Sequence, residues 1–155
     1  MMEIVKPKIE DLEGIRKILE QWTENEEVEK YLGRIKDEIN GITKFGMNFW
    51  VIKSNDLIVG VGGLADPLPV VIPLAQSGNP GEIKILYLDN EIRGKGFGKQ
   101  MVEFLEKEAR GQGYTELFIR SAERYKDTAY GFYEKVGYKK VGLLDNNMVV
   151  FAKVL

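Results

Sequence analysis

The sequence contains neither cysteine nor histidine. The missing cysteine excludes disulfides, thiolate metal sites and a cysteine nucleophile. The missing histidine excludes a histidine-activated serine within this chain. Zinc sites built on either residue disappear as well, so no bound metal is expected. Any general base must be a carboxylate, a lysine, a tyrosine, a terminal amine or a relayed water. No apolar run approaches the ~20 residues that span a bilayer, and Met1 to Lys8 lack the apolar core of a secretion signal. A cytoplasmic protein without a membrane partner is the expectation. An excess of positive charge is also lacking: 22 Lys and Arg stand against 24 Asp and Glu, a net charge of -2. That argues against broad electrostatic binding to nucleic acid.

What is present suits a single folded domain over 1–155. Hydrophobic residues make up 44% and charged residues 30%, a globular rather than a disordered balance. Residues 2–6 read as a first strand stopped by Pro7. Leu12, Ile15, Leu19 and Trp22 recur at helical spacing and predict a helix over 10–22. Val28, Leu32, Ile35 and Ile39 predict a second, ending near Asn40-Gly41. Phe49–Lys53 and Leu57–Leu64 read as a hairpin about Ser54-Asn55-Asp56. Gly60, Gly62 and Gly63 weaken its second strand and let a backbone or ligand come close. The proline-punctuated stretch 65–81 reads as a substrate-side loop, a floppy insertion or an oligomer contact.

Glu82–Asp89 reads as a strand with Ile83, Ile85 and Tyr87 alternating against Lys84 and Leu86. Phe97, Met101, Leu105 and Ala109 mark one helix face, capped by Gly111-Gln112-Gly113. Thr115–Ser121 reads as a strand. Tyr125, Ala129, Phe132, Tyr133 and Val136 form another helical stripe, stopped by Gly137. Tyr138–Gly142 and Met148–Leu155 close the chain as strands. The predicted order is β, α, α, β, β, β, α, β, α, β, β.

Between the strand at 82–89 and the helix from 97 lies Arg93-Gly94-Lys95-Gly96-Phe97-Gly98, followed by Lys99. The first N–H groups of a helix have no internal partner, and the helix dipole adds partial positive charge there. Such a start suits a phosphate. Gly94, Gly96 and Gly98 carry no side chains to block those amides, and Arg93, Lys95 and Lys99 add cationic charge at the rim. The spacing is neither a Walker loop, which needs a Gly-Lys-Ser/Thr ending, nor the GxGxxG dinucleotide fingerprint.

Arg93, Gly96 and Gly98 match Gln/Arg-x-x-Gly-x-Gly/Ala, the signature of the GNAT family of N-acetyltransferases, which this segment resembles. Leu86-Tyr87-Leu88-Asp89 is similar to the family's strand before that loop. Ala129–Tyr138 resembles its alanine, tyrosine and glycine-aromatic pattern on the last core helix. The family often has an asparagine where this chain has Lys126. The resemblance implies an α/β (α+β) fold: a mixed, mostly antiparallel central sheet of about six to seven strands flanked by four helices.

The resemblance also implies a function. Acetyl-CoA would be the co-substrate, its pyrophosphate on Arg93 to Lys99 and its pantetheine arm paired like a strand with Leu86, Tyr87 and Leu88. That strand and the next would splay at a bulge and leave a slot for the thioester. The acetyl group would pass directly to an amine of a small molecule or peptide in a ternary complex. A main-chain N–H near Leu88 would serve the developing oxyanion. Tyr133 matches the tyrosine that protonates the leaving sulfur, and Glu82 stands where some members carry a base. Tyr31, Glu38, Asp66 and Tyr87 are weaker acceptor-side candidates. A non-catalytic acyl-CoA sensor and transfer of another acyl group are the alternatives. The apolar 68–74 stretch is a candidate homodimer contact, and the run Glu24, Glu26, Glu27, Glu29 is a solvated helix start or an attraction for cationic acceptors.

Overall fold

The computed structural model describes residues 2–92 and 94–155. Its first strand, β1 (Met2–Val5), leads into a 3-10 turn at Ile9–Asp11 and then α1 (Leu12–Trp22). The Lys8 N–H donates to the Asp11 carboxylate at 2.8 Å, which also holds Lys53 at 3.0 Å. One buried side chain thus supports the start of α1 and its seat on the hairpin. Helix α2 (Asn25–Ile39) follows after the extended Thr23 and ends at Gly41, whose φ of +83° an L side chain rarely adopts.

The hairpin of β2 (Asn48–Ser54) and β3 (Leu57–Ala65) turns through Asn55 and Asp56, both at positive φ, as a two-residue turn between twisted strands requires. Strand β4 (Pro80–Leu88), helix α3 (Phe97–Gly111), strand β5 (Glu116–Ser121), helix α4 (Tyr130–Lys135), β6 (Lys139–Leu143) and β7 (Val149–Val154) complete the chain. The seven strands form one sheet in the order β1-β2-β3-β4-β5-β7-β6. Strands β1–β2, β2–β3, β5–β7 and β6–β7 pair antiparallel, and β4 pairs with β5 in parallel. Fold class and element order are as the sequence implied.

The chain contains two compact units, 1–65 with 85–101 and 66–84 with 102–155. The first has a core of Ile15, Ile18, Leu19, Val28, Leu32 and Ile35 packed on Phe49, Val51, Val61 and Ile85. Burying such a side chain is worth about 1.5–3 kcal/mol, which is why the two helical stripes were legible. The second unit has Val71, Phe118, Val150 and Ala152 at the centre of a smaller cluster.

Three expectations are revised. The stretch 65–81 is no floppy insertion: Pro69–Leu74 form a 3-10 helix, Val71 is fully buried, and the buried Glu116 carboxylate accepts N–H bonds from Gln76 and Ser77 and the Ser77 hydroxyl, at 2.9–3.0 Å. Strand β4 starts two residues before Glu82, with Pro80 and Gly81 already paired to Glu116 and Leu117. The stripe from Tyr125 is not one α-helix: Glu123–Tyr125 is a 3-10 turn and α4 begins only at Tyr130. A 3-10 turn repeats near three residues, so it carries the apolar spacing without being α-helical. Among the described residues, no helix is long and apolar enough to cross a membrane.

Candidate active site

In the first unit, β4 delivers the chain to the glycine loop. Leu86, Tyr87 and Leu88 are half-buried at its end. The Asp89 N–H donates to the Val59 carbonyl of β3 at 2.8 Å. At Gly60 a Cβ would lie 2.8 Å from the Leu88 side chain and 3.3 Å from the Tyr87 carbonyl, so glycine there lets β3 lie close to this end. A 3-10 turn at Asn90–Ile92 leads to the loop. Gly94 and Gly96 have φ of +83° and +84°, and a Cβ built on either meets nothing within 4 Å. They are glycines because of the backbone conformation, and the space beside them is open. The Gln100 N–H donates to Gly96 O at 3.2 Å as α3 begins. The N–H groups of Phe97, Gly98 and Lys99 thus precede the intrahelical ladder. Lys95 and Lys99 are exposed, Phe97 is half-buried and Gly98 is buried. Arg93 lies outside the described residues.

In the second unit, the pairing of β4 with β5 covers Pro80–Glu82 and Glu116–Phe118. At its last pair, Glu82 is 1% exposed and gathers two cations. Arg120 donates from Nε and Nη2 to the two carboxylate oxygens at 3.0 and 3.1 Å, and Lys84 Nζ reaches Oε2 at 3.2 Å. The Lys84 side chain is only 6% exposed. The candidate base is therefore an enclosed carboxylate held by two cations.

Tyr133, on α4, is 9% exposed and packs its ring against Phe151 at 5.5 Å. Burial, then the charge of Tyr125, pushes its phenol up to about 12, while a hydrogen bond with Ser121 works the other way. The proton therefore stays on oxygen throughout the neutral range. Strand register decides where these two groups stand. Glu82 pairs with Phe118, and Phe118 with Ala152, whereas Ile119 pairs with Phe151 and Ser121 with Val149. Successive residues of a strand point to opposite faces. Glu82 and Arg120 thus share the Phe118 face, and Tyr133 lies on the Phe151 face, so the two candidates act from opposite sides of the strand layer.

The weaker candidates have structural partners. Tyr31 belongs to the buried core of the first unit. Glu38 binds Lys6 Nζ at 2.8 Å and the Phe49 N–H at 3.0 Å. Asp66 accepts from the Tyr114 hydroxyl at 2.7 Å; burial, and then this bond, raises that phenol. In the acidic run, Glu29 pairs with Arg16 and Glu27 with Lys30, as on a solvated helix face. Sequence reasoning missed Arg120, Lys84 and Trp22. The signal for the first two was a Glu and a Lys two apart inside an apolar strand. Among the described residues, no cluster of three Asp or Glu side chains could hold a metal ion.

Residues 12–138 match the model of the acetyltransferase (GNAT) family, and the chain belongs to that family. No curated protein matches the sequence significantly. Solved structures with similar folds include a GNAT-family protein from Desulfovibrio desulfuricans, with a TM-score of 0.83, 14% identity and 99% of each chain covered. The PaiA N-acetyltransferase of Thermoplasma acidophilum, solved with coenzyme A, gives 0.74 at 20% identity over 100% of this chain and 99% of its own. An aminoglycoside 6'-N-acetyltransferase, also solved with coenzyme A, gives 0.71 at 18% identity over 99% and 96%. These likenesses establish the fold.

Proposed function

We propose that the protein moves the acetyl group of acetyl-CoA directly to an amine of a small molecule or peptide, both substrates being bound together. The observation that carries the reading is the start of α3. Gly94 and Gly96 are held at positive φ with open space where a side chain would stand, beside N–H groups outside the helix ladder. Those residues fit a pyrophosphate, with Lys95 and Lys99 as its cations and Arg93 the third from the sequence. Leu86, Tyr87 and Leu88 fit the pantetheine arm as an edge for main-chain pairing. When bound, acetyl-CoA supplies an activated acyl thioester.

The chain's own residues do the rest. The Leu88 N–H is the proposed donor to the developing oxyanion. Tyr133 holds a proton at Oη for the leaving sulfur, and its raised phenol keeps that proton available well above neutral pH. Glu82 is assigned a changed part. Enclosed by Arg120 and Lys84, it positions those cations instead of meeting the amine itself. The acceptor then attacks as the neutral amine, and the proton its nitrogen sheds on forming the amide replaces the one Tyr133 gives to the sulfur.

A thiol-release assay with acetyl-CoA and a panel of amines tests the reading. Acceptor-dependent release of CoA is the expected outcome. Tight CoA binding without release for any amine would favour a sensor.

A further inference from the structure

We propose that Trp22 is a positioning residue for the cofactor strand: its indole N–H fixes the Leu88 carbonyl and so sets the edge of β4 on which an acyl-CoA pantetheine arm pairs. The inference rests on the cofactor reading above and adds a residue that reading does not contain.

Trp22 is the last residue of α1. Its Nε1 donates to the Leu88 carbonyl at 2.7 Å, and its ring lies parallel to Tyr87, at 7° and 6.4 Å between centroids. One residue earlier, Gln21 Oε1 accepts the Asn90 N–H at 2.9 Å. The end of α1 therefore holds the end of β4 by two hydrogen bonds and a stacked ring.

The direction of these bonds assigns the role. Along an extended strand, successive residues turn their peptide groups to opposite edges. The Asp89 N–H faces β3, where it meets Val59. The N–H and C=O of Leu88 therefore face away from β3, on the edge where the β4–β5 pairing of the described residues covers only Pro80–Glu82. The group that meets the Leu88 carbonyl there is a side chain. A carbonyl has two lone pairs, so the indole can hold it while the second lone pair and the Leu88 N–H stay available to a ligand. Packing does not require this polar contact. Ile15, Ile18 and Leu19 already bury the α1 face, and a phenyl ring keeps an aromatic face toward Tyr87.

The test is Trp22→Phe, which keeps the stack and removes the N–H. Calorimetry with CoA is expected to show affinity weakened about five-fold, while the melting temperature falls only by the roughly 2–4 °C that one lost hydrogen bond costs the free protein. In turnover, KM for acetyl-CoA should rise by about the same factor, with kcat and the amine KM unchanged. A second measurement needs no Trp22 variant. The chain has two tryptophans, so Trp50→Phe leaves Trp22 as its sole tryptophan, and CoA should shift the selectively excited tryptophan fluorescence with the calorimetric Kd. Unaltered CoA affinity in Trp22→Phe, or no emission change in the single-tryptophan protein while CoA binds, would overturn the proposal and leave the cofactor reading intact. Absence of CoA binding to the unaltered protein would overturn both.

Discussion

Replacing Glu82 with glutamine separates two roles for this carboxylate. The change keeps the shape and removes the negative charge that faces Arg120 and Lys84. In the folded protein the carboxylate is 1% exposed and takes three N–H bonds, at 3.0, 3.1 and 3.2 Å. The Lys84 and Arg120 side chains are 6% and 19% exposed, so neither cation has full access to water. Removing one partner of a buried pair typically costs about 3–5 kcal/mol, because the charge left behind stays desolvated. The lower end applies here, since the glutamine carbonyl still accepts one bond and Arg120 is partly wet. For a chain of this size a loss of about 3 kcal/mol lowers the melting temperature by roughly 6–12 °C. Thermal denaturation followed by circular dichroism measures it, alongside kcat on the refolded variant. A positioning role predicts the drop in stability, with turnover falling modestly. A melting temperature within about 2 °C of the unaltered protein, together with a kcat loss on the scale of about a hundred-fold or more, would refute this reasoning and restore Glu82 as the direct base.

Tyr133→Phe should lower kcat by at least about ten-fold, as removal of a general acid does, while calorimetry shows CoA affinity unchanged. With its phenol raised to about 12, a pH–rate profile should show no falling limb near 10, the ordinary tyrosine value. The same shift makes a stability prediction. Folded Tyr133 releases its proton only near 12, whereas the unfolded residue does so near 10, so its contribution is complete below pH 10 and is lost between 10 and 12. Tyr138 adds to this in the same direction, because burial and the neighbouring Glu106 charge raise its phenol. Denaturation midpoints should be flat from pH 7 to 9 and fall steeply above about 10, and Tyr138→Phe should flatten that fall.

The parts of the fold carried by local spacing were legible before the structure. Leu12, Ile15 and Leu19 declare α1 because one helix face must be buried, and the Ser54–Asp56 turn declares the β2–β3 hairpin. The start of β4 was hidden because Pro80 and Gly81 resemble strand breakers. Pro80 nonetheless opens the strand at Glu116, and Gly81 accommodates the Tyr114 ring, which a Cβ would approach at 2.7 Å. The glycine loop was legible for the same local reason as α1: everything it needs lies between Arg93 and Lys99. Arg120 and Trp22 were not, because their partners Glu82 and Leu88 stand 38 and 66 residues away. No spacing rule reaches that far, and only the packed chain joins them.

The central claim is that the helix start after β4 holds a CoA pyrophosphate. Calorimetric titration of CoA into the Gly96→Val variant tests it most directly. At φ +84° valine adds a strain of about 1–2 kcal/mol, but among the described residues beyond its chain neighbours its Cβ meets nothing within 4 Å, so the fold should survive with an unchanged circular dichroism spectrum. The side chain would stand in the open space beside the loop amides, and CoA binding should be lost. Near-normal CoA affinity in the folded variant would contradict the account.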